Sequence, residues 1–167
     1  MKPSRLAVDT NVLLDLADEV DDVLDAADVI HGRLPNAERL VTPSVLDELA
    51  YLADFGQSQQ VRRSAKKAIQ LLRGKDRFRS ILELPFAPEN VEALANEFRR
   101  RELLPDEEVH DSLILAETVL LDCHILLTSD EHLRSIDHQR LTWLLNPCDL
   151  TAPVIATPRE IVRKFFR

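Results

Sequence analysis

Glycine is scarce, at 3 of 167 residues. Without a glycine-rich turn no phosphate-cradling loop can form, which disfavours the nucleotide-binding folds built on one. Two cysteines, Cys123 and Cys148, are too few for a disulfide framework, and their separation fits no usual zinc spacing. No apolar run approaches the ~20 residues a membrane-spanning helix needs. Met1-Lys2-Pro3-Ser4-Arg5 leads at once into a strand-like run, so no signal peptide is expected. No Ser–His or Cys–His nucleophile pattern is evident, nor are internal repeats, low-complexity tracts or a linker. These absences leave a cytoplasmic protein of a reducing compartment, one domain over residues 1–167. The 45% apolar and 30% charged composition is that of an ordinary globular chain.

Charge is unevenly placed. Lys and Arg number 21 against 29 Asp and Glu, a net −8, which by itself argues against a polyanionic partner. Yet residues 62–79 hold Arg62, Arg63, Lys66, Lys67, Arg73, Lys75, Arg77 and Arg79 against Asp76 alone, a local +7 that leaves −15 elsewhere. Such a chain could hold phosphates on one face and gather carboxylates around a cation on another. On charge alone a solvated helix face is the plainer explanation of the basic run.

Arg5-Leu6-Ala7-Val8 reads as a strand, and Asp9-Thr10-Asn11 supplies cap-type residues before Val12-Leu13-Leu14, so a helix follows and continues as an acidic stretch to Ile30. Gly32 and Pro35 break it. Leu40-Val41-Thr42 is a second strand, and Pro43 is placed to start a helix. From Ser58 to Arg73, Val61, Ala65, Ala68, Ile69 and Leu72 recur at helical spacing, opposite the basic residues. Ile81–Leu84 is expected as a short strand. An amphipathic helix spans Val91 to Phe98, and a long apolar one runs from Val109 to Leu121. His124–Thr128 is the clearest buried strand, and Val154-Ile155 a last one. Thr157-Pro158-Arg159-Glu160 has the pattern of a capping box. Alternating strands and helices imply a parallel sheet covered on both faces.

In open parallel sheets, ligands bind beyond the carboxyl ends of the strands. Asp9 and Asn11 follow the first strand. Glu48 lies on the helix after the second, and Thr128, Ser129 and Asp130 follow the strongest. Asp111 opens the helix leading into it. Right-handed crossovers bring these segments to one edge. Carboxylates gathered there repel one another unless a cation neutralises them, and hard ions such as Mg²⁺ or Mn²⁺ take oxygen ligands. Metal-assisted phosphodiester hydrolysis needs acids and no nucleophilic side chain. Each acid also has a plain role. Asp9 and Asp130 are cap residues, Glu48 suits a solvated face, and Asp111 favours a helix dipole. Glu107 and Glu108 read as a charged helix start, and His110 as exposed. An aspartyl phosphotransferase is a weaker reading, because Asn11 stands where a second Asp would be wanted.

The motifs resemble those of PIN-domain ribonucleases. Leu6-Ala7-Val8-Asp9-Thr10-Asn11-Val12-Leu13 is similar to that family's opening motif, and Val45-Leu46-Asp47-Glu48-Leu49 to its helical Glu. His110-Asp111-Ser112-Leu113-Ile114-Leu115-Ala116 matches its third acidic motif. Leu126-Leu127-Thr128-Ser129-Asp130 matches its strand-ending Thr-x-Asp, and Thr157–Glu160 its last-helix start. The resemblance implies a three-layer α/β/α sandwich around a parallel sheet of four or five strands, and Mg²⁺- or Mn²⁺-dependent cleavage of RNA. By position Asp9, Glu48, Asp111 and Asp130 would be catalytic metal ligands, oriented by Asn11 and by Thr128 or Ser129. Arg62, Arg63, Lys66 and Lys67 would be candidates for RNA contact. Many small bacterial members are VapC-type toxins that form homodimers and are blocked by an antitoxin. The other expectation is a catalytically silent module that binds RNA or protein on the same scaffold. Residues 54–79 are long and basic for a minimal toxin, and 137–153 resemble an insertion whose Leu141, Trp143, Leu144 and Leu145 are expected in the core, with a dimer contact as the other reading.

Overall fold

A computed structural model describes residues 2–74 and 77–165; Lys75 and Asp76 of the basic stretch lie outside the described residues. The strands are β1 (Arg5–Val8), β2 (Glu38–Val41), β3 (Arg79–Ser80), β4 (Ile125–Leu127) and β5 (Val154–Ala156). The helices are α1 (Thr10–Ala17), α2 (Asp21–Arg33), α3 (Pro43–Phe55), α4 (Gln59–Arg73), α5 (Pro88–Arg100), α6 (Val109–Leu120), α7 (Glu131–Arg134), α8 (His138–Leu145) and α9 (Pro158–Phe165). The expected three-layer α/β/α arrangement is the one found.

The sheet is parallel throughout, in the order β3-β2-β1-β4-β5, with Ala7 in register with Leu40 on one side and Leu126 on the other. The chain leaves the central β1 first to one side, through β2 and β3, and then to the other, through β4 and β5. Right-handed connections put α1 to α4 on one face and α5 to α8 on the opposite face. Strand side chains Leu6, Val8, Leu40, Val41, Leu126 and Leu127 are buried, as a sheet covered on both faces requires. The carboxyl ends of β1 and β4 flank the point where the strand order reverses, the usual position of a crevice in such sheets.

Several expectations are corrected. The third strand is Arg79–Ser80, and Ile81 only donates its N–H to the Val41 carbonyl at 2.9 Å. Beyond Val41 the neighbouring strand turns into a proline-led helix, so Leu82 to Leu84 have no backbone partner there, and Leu82 is exposed. The first helical stretch is two helices, because Asp18–Val20 forms a turn with Glu19 at φ 58°, which no helix interior accommodates. Segment 137–153 contains α8, which buries Leu141 and Leu145 but leaves Trp143 exposed, since Trp143 falls on the opposite side of a two-turn helix. Cys123 is buried and Cys148 exposed, both as free thiols.

Candidate active site

Asp9 is the first residue beyond β1. Its N–H donates to the Leu127 carbonyl at 2.9 Å, which locks the strand end to β4. Asp9 is 3% exposed. One oxygen accepts from the Thr10 N–H at 2.7 Å; the other accepts from the Thr128 hydroxyl at 2.6 Å and from the Asn11 amide at 3.3 Å. The cap role and the pocket role thus belong to the same side chain. Burial pushes the Asp9 carboxyl up to about 6 despite these bonds, with Glu48 and Asp130 adding to the rise.

Thr128 joins two of the acids. While its hydroxyl donates to Asp9, the same oxygen accepts the Asp130 N–H at 3.0 Å. Asn11 makes a parallel link, accepting the Ser129 N–H at 3.1 Å on its side-chain oxygen. Ser129 is exposed, and it is its backbone that takes part. Asp130 is partly buried and caps α7 by accepting the Leu133 N–H at 2.9 Å.

Glu48 reaches the pocket from α3. It accepts the Thr10 hydroxyl and lies 2.9 Å from His110 Nε2. Burial alone would raise its carboxyl, but the bonds from His110 and Thr10 outweigh it and hold the group below its ordinary value. His110 is raised in turn, chiefly by the bond to Glu48. The pairing therefore favours an ionised Glu48 beside a protonated imidazole. The expectation of an exposed His110 holds in part: its side chain is 41% exposed, yet it reaches from α6 to bond Glu48 on α3.

Asp111 is the third residue of α6 and partly buried. Burial holds its carboxyl well above the carboxylate range, and Asp130, Asp9 and Glu108 push it further. Asp111 and Asp9 thus each sense the other carboxylates at the carboxyl edge of the sheet. Among the described residues, neither Asp9, Asp111 nor Asp130 forms an ion pair with a Lys or Arg. Such a set of oxygen donors without a Lys or Arg partner suits a hard divalent cation. Among the described residues, no three His, Cys, Asp or Glu side chains already stand close enough around one point to hold an ion.

Two participants escaped the sequence reading. Thr10 read only as a cap type, yet its hydroxyl orients Glu48. Glu117 is 4% exposed and accepts the Ser44 hydroxyl at 2.7 Å and the Ser44 N–H at 3.2 Å, which ties α6 to the start of α3. The helices carrying Asp111 and Glu48 are thereby clamped together. The available signal was a lone acid inside the apolar run Ile114–Val119. The basic candidates lie on α4 away from these bonds. Arg63, Lys66 and Lys67 are exposed, and Arg62 donates to the Gly56 carbonyl at 2.5 Å.

Comparison with known proteins agrees with this arrangement. A family model described as PIN domain matches residues 6–139. A comparison with curated proteins finds no match. Among solved structures, the chain is similar to one in VapBC2 from Rickettsia felis bound to a DNA fragment from its promoter, with a TM-score of 0.62 at 15% identity. It is also similar to one in VapBC-1 from nontypeable Haemophilus influenzae, with a TM-score of 0.56 at 16% identity. Each alignment covers 92% of this chain and 98% of the other.

Proposed function

This chain belongs to the PIN-domain family, and from that premise we propose that it is a divalent-metal-dependent endoribonuclease that hydrolyses RNA phosphodiester bonds. The observation that carries the reading is the Thr128 bridge. One buried hydroxyl fixes Asp9 and the backbone of Asp130 at the reversal of the sheet, and Glu48 and Asp111 are carried on two other helices, α3 and α6. Asp9, Glu48, Asp111 and Asp130 would hold Mg²⁺ or Mn²⁺. Such an ion polarises a phosphoryl oxygen and lowers the pKa of water beside it. Asn11 and Thr128 keep the Asp9 carboxylate in one orientation, and the Ser129 N–H fixes Asn11. Thr10 and His110 keep Glu48 ionised. No side chain is required as a nucleophile, in keeping with a pocket built from carboxylates.

The similarity to chains of two VapBC structures supports a further reading as the toxin of a toxin–antitoxin pair, with an antitoxin protein as partner; a homodimer is proposed on the family resemblance alone. Among the described residues no helix is long and apolar enough to cross a membrane.

Purified protein with Mn²⁺ is expected to cut single-stranded RNA internally, and chelation should stop it. Asp9→Asn and Asp111→Asn should each lower the rate by at least about a hundredfold, the scale of losing one essential group in acid–base or electrostatic catalysis. Cleavage that persists in both variants would refute the assignment.

A further inference from the structure

Helix α3 carries, besides Glu48, two aromatic side chains that the pocket does not use. Tyr51 is 62% exposed and Phe55 68% exposed, with ring centroids 5.4 Å apart and planes tilted by 37°. They stand three and seven residues after Glu48. At 100° per residue, all three fall within an arc of about 60° on one side of the helix. The rings begin about 4.5 Å and end about 10 Å along the axis from Glu48. That distance matches roughly one to three stacked nucleotides at ~3.4 Å each. Burying either ring in the core would have been worth about 2–3 kcal/mol, so leaving both in water forgoes folding stability.

We propose that Tyr51 and Phe55 form a stacking platform for the bases of a single-stranded RNA, which holds the strand in line with the acidic pocket. The proposal rests on reading that pocket as an RNA nuclease, and it supplies the specificity that the carboxylates lack. Unstacked bases lie on aromatic faces, whereas the bases of a duplex are already stacked and out of reach. Charge nearby has the right sign for the backbone. Arg62 is anchored at the α3–α4 turn by the Gly56 carbonyl, one residue beyond Phe55, and Arg63, Lys66 and Lys67 follow exposed on α4. Asp47 and Asp54 are also exposed on α3, within about 60° of Tyr51 around the helix, and would steer phosphates to the other side of the rings. A protein partner fits less well. The two rings make only a small apolar patch on this side of the helix. Their surroundings on α3 and α4 are charged, not apolar.

The test separates binding from cleavage. In protein carrying Asp111→Asn, binding of a 12-nucleotide single-stranded RNA is followed by fluorescence anisotropy in Mn²⁺. Tyr51→Ala and Phe55→Ala should each weaken binding about tenfold, while Tyr51→Phe and Phe55→Tyr should keep it within about twofold. Affinity for the same sequence as a duplex should not change. In protein with the pocket intact, the alanine variants should raise KM and leave kcat unchanged. With Trp143→Phe and Phe55→Trp as the single tryptophan, single-stranded RNA should quench the emission and duplex should not. Unchanged affinity in both alanine variants overturns the platform. So does a loss accompanied by a shift from dimer to monomer in light scattering, which marks a protein contact. If RNA binding follows the rings but the intact protein cuts no RNA, the nuclease reading falls and the platform stands.

Discussion

Asp9 couples the pocket to the stability of the whole chain through its proton. Its carboxyl rises from 3.8 to about 6 because burial removes the water that would solvate the anion. The folded state therefore binds this proton more tightly than the unfolded state. The contribution is complete below pH 3.8 and is lost as pH rises through about 6. At 1.36 kcal/mol per unit, that loss is about 3 kcal/mol in the metal-free protein. Urea denaturation of wild type and Asp9→Asn between pH 4 and 8, in chelator, should show the variant gaining on wild type across this window. Glu48 acts with the opposite sign, since its carboxyl is lowered, so the difference between the two proteins is the informative quantity. A difference that stays flat with pH would mean that Asp9 is solvated.

At the scale of elements, capping decides where several helices begin, and one cap, just beyond β5, bonds none of the four acids. The start of α9 is a complete capping box. The Glu160 N–H donates to the Thr157 hydroxyl at 3.1 Å, and the Thr157 N–H donates to the Glu160 carboxylate at 2.7 Å. Helix α9 buries Ile161 and packs on α2, so losing the cap frays that contact. Thr157→Ala should cost about 1 kcal/mol, read as a lower denaturant midpoint with an unchanged slope. RNA cleavage per folded molecule should be unaffected. The caps at Asp9 and Asp130 differ because the same oxygens face other acids. Their removal would mix helix loss with pocket loss, which makes Thr157 the clean measure of capping in this fold.

For the whole molecule, carboxylates drawn together without a compensating cation make the apo state less stable than it could be. A divalent ion that binds only the folded chain adds about 2.7 kcal/mol at a hundredfold excess over its Kd. For a chain of this size that raises Tm by about 5–10 °C. Calorimetry with Mn²⁺ should show the rise, and Asp111→Asn should remove most of it. A Tm indifferent to Mn²⁺ and Mg²⁺ would count against the ion. Much of this architecture was legible in the chain. Four of the five strands, the Pro43 and Thr157 helix starts, the amphipathic α4 and the four acids are local patterns of periodicity, capping and order. Ile81–Leu84 failed as a strand because pairing depends on where the neighbouring strand stops, and Trp143 failed as core because α8 turns that side outward. His110, Thr10 and Glu117 were illegible for the same reason: each acts on a residue 38 to 73 positions away. Sequence alone thus determined which acids exist and which edge of the sheet they reach, because strand and helix periods are properties of neighbouring residues. Only the tertiary structure decided which hydroxyl, imidazole or amide holds each acid, because proximity between distant segments arises when the layers pack.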